Sequence, residues 1–376
     1  MIPGTKAVVS KAAPTLKRIP ELDGLRGIAI LLVVSFHYIS NQLTGRTDPV
    51  SRVLQKATGF GWVGVDLFFI LSGFLIGNIL IANKHSSNYF KTFYIRRLVR
   101  IVPNYFLLLV VFLVIWNTAY FSNNYFITSH NVIPAWSYFL MVHNFFMAAA
   151  HSLGNDALSI TWSIGIEEQF YLFFPFIVYF AGRKYLPWIL ALLVAAAIVF
   201  RAQFDHWIPR YVLLPSRMDG LSLGFMVAFL YHYDLLQPYK RTLVRLLPVA
   251  AGVVVLICGL LYARYGDLGV AKHTLFALIF SIALVMALLA PSSWYGAFLR
   301  NTMLTWIGVI SYSLYLFHYL VLGICHHVTG QDNIGIQNRW DILVTIVAFA
   351  ISLLLSWGIY NTLEKPMVRL GKRFRY

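Results

Sequence analysis

Four groups of ionisable residues lie inside or at the ends of long apolar runs in this 376-residue chain. A charge inside a membrane is costly, so each needs a reason. Arg26 and His37 are the first group. At 100° per residue their spacing makes three helical turns plus about 20°, so they face one way, about 16 Å apart along the axis. A histidine there has the chemistry of a general base, and an arginine that of an anion clamp. The bland reading is an orientation arginine and a hydrogen-bonded packing histidine. Asp66 follows Gly61-Trp62-Val63-Gly64-Val65. It is either a helix-start residue at an interface or a catalytic acid. Gly73 and Gly77, on its face, read as a small-residue packing surface. Arg96, Arg97 and Arg100 precede Pro103. They are an orientation signal, or a bidentate clamp on phosphate. Glu167 and Glu168 sit about two turns into an apolar run. Adjacent residues point about 100° apart, so at most one faces a given cavity.

Weaker signals follow. Arg217 and Asp219 read as a local ion pair at a helix start. Tyr312 to His318 puts polar tips on one helix, whereas His326 and His327 read as loop residues. No P-loop, dinucleotide fingerprint, HExxH or GxSxG motif is present.

These residues need long helices to hold them. Charged residues are 12% of the chain, hydrophobic residues 59%, and mean hydropathy is +0.70. Apolar runs close to the ~20 residues that cross a bilayer recur from Gly27 to Tyr360. The sequence predicts an all-α, polytopic helical bundle of about ten transmembrane helices. They fall near 26–42, 62–82, 98–119, 160–181, 187–204, 217–233, 244–263, 273–290, 304–325 and 341–361. The shorter run from Pro134 to Ala149 reads as interfacial or re-entrant. One membrane domain is expected, with basic tails at 1–25 and 362–376 around a bundle at 26–361.

The net charge of +16 would suggest nucleic acid in a soluble protein, but here most Lys and Arg fall in short loops between apolar runs. Placing both termini in the cytoplasm puts 21 of the 30 there, as the positive-inside rule asks. Ile101 to Gly182 contains no Lys or Arg, which suits an outward loop. Cys258 and Cys325 both lie in apolar runs, which argues against a disulfide framework or a zinc site. No cleaved signal peptide is expected.

In their order along the chain these pieces resemble the acyltransferase 3 family of membrane O-acyltransferases. The resemblance rests on Leu22-Asp23-Gly24-Leu25-Arg26-Gly27 with His37, Gly64-Val65-Asp66 to Ser72-Gly73-Phe74, and Tyr94-Ile95-Arg96-Arg97 to Pro103. It continues through Trp162-Ser163 to Glu167-Glu168-Gln169-Phe170-Tyr171, Arg217-Met218-Asp219-Gly220, Ile310-Ser311-Tyr312 to His318, and Glu364-Lys365-Pro366. It implies an acyl-CoA donor, most simply acetyl-CoA, with no metal. The implied acceptor is a glycan, lipid-linked sugar or macrolide, and the location a bacterial cytoplasmic membrane. Some members carry a C-terminal SGNH domain, and none is expected here.

On this reading Arg26, Arg96, Arg97 and Arg100 hold the CoA phosphates. The thin pantetheine arm reaches His37, the base on the acceptor hydroxyl, with Glu167 or Glu168 as its polar partner and Asp66 nearby. Arg217, Asp219, Tyr171 and His318 are expected at the substrate. Direct transfer and an acyl-histidine intermediate both fit. Two rivals remain: a transporter or flippase whose buried Asp, Glu and His carry protons or substrate, and a receptor or assembly factor without catalysis, which would tolerate loss of His37.

Overall fold

The computed structural model describes residues 18–116, 132–330 and 334–376. Lys6, Lys11 and Lys17 of the expected basic tail, and residues 117–131 of the expected outward loop, lie outside the described residues. Helices carry the described chain, and no strand occurs among those residues. In order they are α1 Pro20–Ser35, α2 Pro49–Thr58, α3 Gly64–Asn83, α4 Tyr89–Trp116, α5 Ala135–Phe139, α6 His143–Ala150, α7 Asp156–Ser159, α8 Trp162–Phe180 and α9 Leu186–Arg201. They continue with α10 Trp207–Val212, α11 Leu214–His232, α12 Lys240–Tyr265, α13 Lys272–Leu289, α14 Trp294–Leu299, α15 Thr302–Val309, α16 Ser311–Val328, α17 Arg339–Ile359 and α18 Lys365–Gly371.

Among the described residues seven helical segments are long and apolar enough to cross a membrane. An eighth is added if α15 and α16, bent by 76°, count as one span. This is a multi-pass membrane protein. Of the ten expected runs, 160–181 and 187–204 are helical but fall outside that count. α9 has only 16 residues, and α8 carries the two glutamates. The run from Pro134 to Ala149 is two short helices, α5 and α6. The spans expose large apolar side chains: Val114, Leu260 and Leu354 are each more than 60% exposed. In water such a surface would drive association, whereas in lipid it is solvated.

Glycine sets how closely the central helices approach. A methyl on Gly73 of α3 would collide with the carbonyl oxygen of Leu221 on α11, and one on Gly224 of α11 with that of Ile70. The small-residue face read from Gly73 and Gly77 therefore packs α3 against α11, backbone to backbone. α1 is clamped in the same way against the α14–α15 corner, where Gly308 lies under the carbonyl oxygen of Asp23. Both close approaches fix the depth of the polar residues that these helices carry.

Two π-helical turns break the regular ladder. Phe36–Ser40 extends α1 and contains His37, and Tyr360–Glu364 joins α17 to α18 and ends on Glu364. Such turns interrupt the i→i−4 pattern and recur at functional sites. The segment expected as a basic tail, 362–376, is largely this turn and α18, which packs along α4: Gly371 lies against Val99 and Arg96. The start of α1, the start of α4 and α18 share one face of the bundle, called here the basic face.

Candidate functional site

Two cavities lie end to end along α1. The inner one opens toward the basic face, with about 820 Å³ of empty space counting its open mouth. Arg26 of α1, Arg97 and Arg100 of α4, and Glu167 and Tyr171 of α8 line it. Glu167 is held on both oxygens: Ser72 donates to Oε1 at 2.7 Å and Tyr171 donates to Oε2 at 3.1 Å. Arg26 lies within electrostatic reach of Arg100, Glu364 and Glu167. Glu364 is buried and accepts from Ser313 at 2.8 Å and Asn104 at 3.3 Å. The cluster thus concentrates three guanidinium groups against two fixed carboxylates.

The outer cavity has about 1090 Å³ of empty space, counting its mouth. His37 lines it, among Trp62, Trp162 and Tyr211, with Asp156 and Lys272 as charged members of the wall. His37 does not meet Glu167. Its Nδ1 lies 3.0 Å from the Val33 carbonyl oxygen and 3.1 Å from Nε2 of His318. His318 is fully buried, and its Nδ1 lies 3.0 and 2.8 Å from the carbonyl oxygens of Leu314 and Tyr315.

Carbonyls only accept, so the proton of neutral His318 sits on Nδ1 and its Nε2 is an acceptor. His37 Nδ1, between a carbonyl and that acceptor, must then be the donor. The lone pair of His37 is left on Nε2. This backbone-to-His318-to-His37 chain fixes a tautomer as the carboxylate does in a serine triad.

The expected pairing of His37 with Glu167 or Glu168 is corrected by this geometry. α8 brings Glu167 into the inner cavity, bonded to Ser72 and Tyr171, while Glu168, one residue round the helix, lies in electrostatic reach of Glu167 and Arg97. His318 is not exposed to the outer cavity but stands behind His37. Arg96 also leaves the expected group. It donates to the Phe374 carbonyl oxygen at 3.0 and 2.7 Å and stacks 4.9 Å from the Tyr376 ring, so it fastens the chain after α18 rather than lining the cavity.

Asp66, Arg217 and Asp219 are buried together behind the cavity walls and line neither cavity. Arg217 pairs with Asp66 at 2.5 Å, and Arg201 pairs with Asp219 at 2.8 Å. Arg217 and Asp219 therefore do not form a local pair. Residues two apart on a helix point about 200° from each other, and each reaches a different helix. Arg201 also bonds the Ser216 carbonyl oxygen and Thr274. His273 of α13 accepts from Arg217 and lines the outer cavity, linking the buried pairs to its wall.

A family model described as an acyltransferase domain matches residues 19–361. The chain belongs to that family. It is similar to the peptidoglycan O-acetyltransferase OatA of Listeria monocytogenes, 26% identical over 94% of this chain and 56% of that protein. It is also similar to YrhL of Bacillus subtilis, named a "Putative peptidoglycan O-acetyltransferase", 28% identical over 94% of this chain and 56% of that one. The chain spans little more than half the length of these relatives. No solved structure matches it.

Within the family domain, sequence reasoning missed Arg201, His273, Ser72 and Lys272 as members of the polar framework. Lone polar residues in apolar runs were the signal available for Arg201 and Ser72. His273 and Lys272 sit at a helix start and carry no such mark.

Proposed function

We propose that this chain is a membrane O-acyltransferase, most simply an O-acetyltransferase of a bacterial cytoplasmic membrane. The acyl group comes from acyl-CoA bound at the inner cavity. It passes to a hydroxyl of a glycan or lipid-linked sugar that enters the outer cavity. The carrying observation is the two cavities in line, one walled by three arginines on the basic face and one holding a tautomer-fixed histidine. Arginine forks suit the CoA phosphates, and the positive-inside bias makes the basic face cytoplasmic, where acyl-CoA is found.

In the proposed step Nε2 of His37 takes the proton of the acceptor hydroxyl as its oxygen attacks the thioester carbonyl. A C–O bond forms, the C–S bond breaks, and the proton passes from His37 to the leaving thiolate. Glu167, within electrostatic reach of Arg26 and Arg100, offsets part of their mutual repulsion. Asp66, Arg217 and Asp219 hold α3, α11 and α13 in register beneath the acceptor. Because the relatives are named for peptidoglycan, its glycan strands are the first acceptor to test. Purified protein given acetyl-labelled acetyl-CoA and peptidoglycan oligosaccharides is expected to leave ester-linked label on the sugar. Label only in free acetate or only in CoA counts against the reading.

The arginines give a sharper check. Arg97→Ala and Arg100→Ala are each expected to weaken CoA binding by about tenfold, the worth of one charge-assisted contact. Arg96→Ala is expected to leave affinity unchanged, because Arg96 holds the chain end instead. Calorimetry of CoA binding measures both: unchanged affinity in Arg97→Ala and Arg100→Ala would return them to orientation signals, and a loss at Arg96 would overturn its assignment to the chain end.

His318 is assigned as a positioning residue. His318→Leu is expected to lower kcat by roughly 10–100-fold with KM for the donor unchanged, the scale of losing an orienting partner. His318→Gln, whose carbonyl can still accept from His37, is expected to recover much of it. A Gln variant no better than Leu would refute the relay.

A further inference from the structure

Val65 and Tyr315 line both cavities. They are 6% and 7% exposed, and they are the side chains common to both linings, so they stand where the inner and outer spaces meet. Neither post is free to withdraw. Val65 follows Gly64, which lies directly under the Ala29 carbonyl oxygen of α1, so α3 has no slack there. The Tyr315 hydroxyl donates to the Ile160 carbonyl oxygen at 2.9 Å and lies 2.7 Å from Ser163 Oγ. On the inner side the Phe68 ring stands edge-on to Tyr315 at 6.0 Å. An acyl group leaving the arginine cavity for His37 must thread between these posts.

We propose that Val65 and Tyr315 form a slit that selects acyl groups by cross-section: unbranched chains pass and α-branched ones are refused. The inference rests on acyl-CoA being the donor. The cysteamine–β-alanine end of the pantetheine arm, which directly follows the acyl group, is itself an unbranched chain and must occupy the slit when the thioester stands beside His37. An opening wide enough for that arm is wide enough for a straight acyl chain, and the outer cavity beyond has room for its end. A branch at the α-carbon widens the group past the arm's own width. The posts are pinned, so the added methyl meets a packed wall, where one such group is worth about 10–200-fold in discrimination.

Acetyl-, butyryl- and isobutyryl-CoA separate width from length, because the last two are isomers. The wild type is expected to transfer acetyl and butyryl and to disfavour isobutyryl at least tenfold against butyryl. Val65→Ala should raise the isobutyryl-to-butyryl ratio about tenfold, and Val65→Thr, of the same shape, should leave it unchanged. If Val65→Ala does not accumulate, Tyr315→Phe keeps the ring, frees it from Ile160 and Ser163, and should shift the ratio the same way. An unchanged ratio in the enlarged variant overturns the slit. So does a wild type that transfers acetyl but neither four-carbon group, since that is selection by length. A wild type that transfers no acetyl from CoA at all instead removes the donor reading beneath it.

Discussion

His37→Ala is expected to lower acyl transfer by about 10²–10⁴-fold, the usual cost of losing a positioned general base. CoA affinity, expression and insertion should stay near those of the wild type, since the arginines and the helix contacts of α1 are untouched. The argument is geometric: His37 lines the outer cavity, and its Nδ1 is committed to Val33 and His318. Only Nε2 remains to take a proton. His37→Gln should be equally inactive, because an amide fills the space without basicity. Full transfer by either variant would end the assignment of His37 and place the base elsewhere. If an acyl-histidine forms, denatured wild type captured during turnover carries label on His37, and direct transfer predicts none.

The second large effect is on the fold. Asp66→Ala leaves Arg217 charged and 1% exposed with its partner gone. Removing one side of a buried pair typically costs about 3–5 kcal/mol, because the other charge is stranded. Arg217 lies 5.3 to 5.6 Å from the rings of Phe69, Trp162 and Tyr211, which soften that cost without supplying a counter-charge. The melting temperature of detergent-purified Asp66→Ala should fall by on the order of 5–10 °C. Arg217→Ala should fall comparably. A double change, Asp66→Leu with Arg217→Met, removes both charges and should recover most of the loss. Single variants as stable as the wild type would show that the pair is not structural and would return Asp66 to the catalytic candidates.

Much of this architecture is legible in one dimension. A bilayer imposes a length and a polarity on every segment that crosses it, so apolar runs report the helices directly. Gly73 and Gly77 read as a packing face, and α3 packs there. The helical period also relates Arg26 to His37 and separates Glu167 from Glu168. The same period argued against a pair between Arg217 and Asp219, two positions apart, and a local ion pair was the wrong expectation for that reason.

Which polar groups meet was decided by tertiary structure. His37 could be singled out from its place in an apolar run, but its partner lies 281 positions away. Arg217 finds Asp66 across 151 positions, and Glu364 finds Ser313 across 51. Inside a membrane most residues on every helix are apolar, so hydropathy does not say which helices touch. Partner choice is set by where small residues let backbones close, as Gly308 does against Asp23 and Gly224 against Ile70. Those contacts set the depths of α1 against α15 and of α3 against α11. The packed bundle puts Glu167 with the arginines, His318 behind His37, and Val65 and Tyr315 between them.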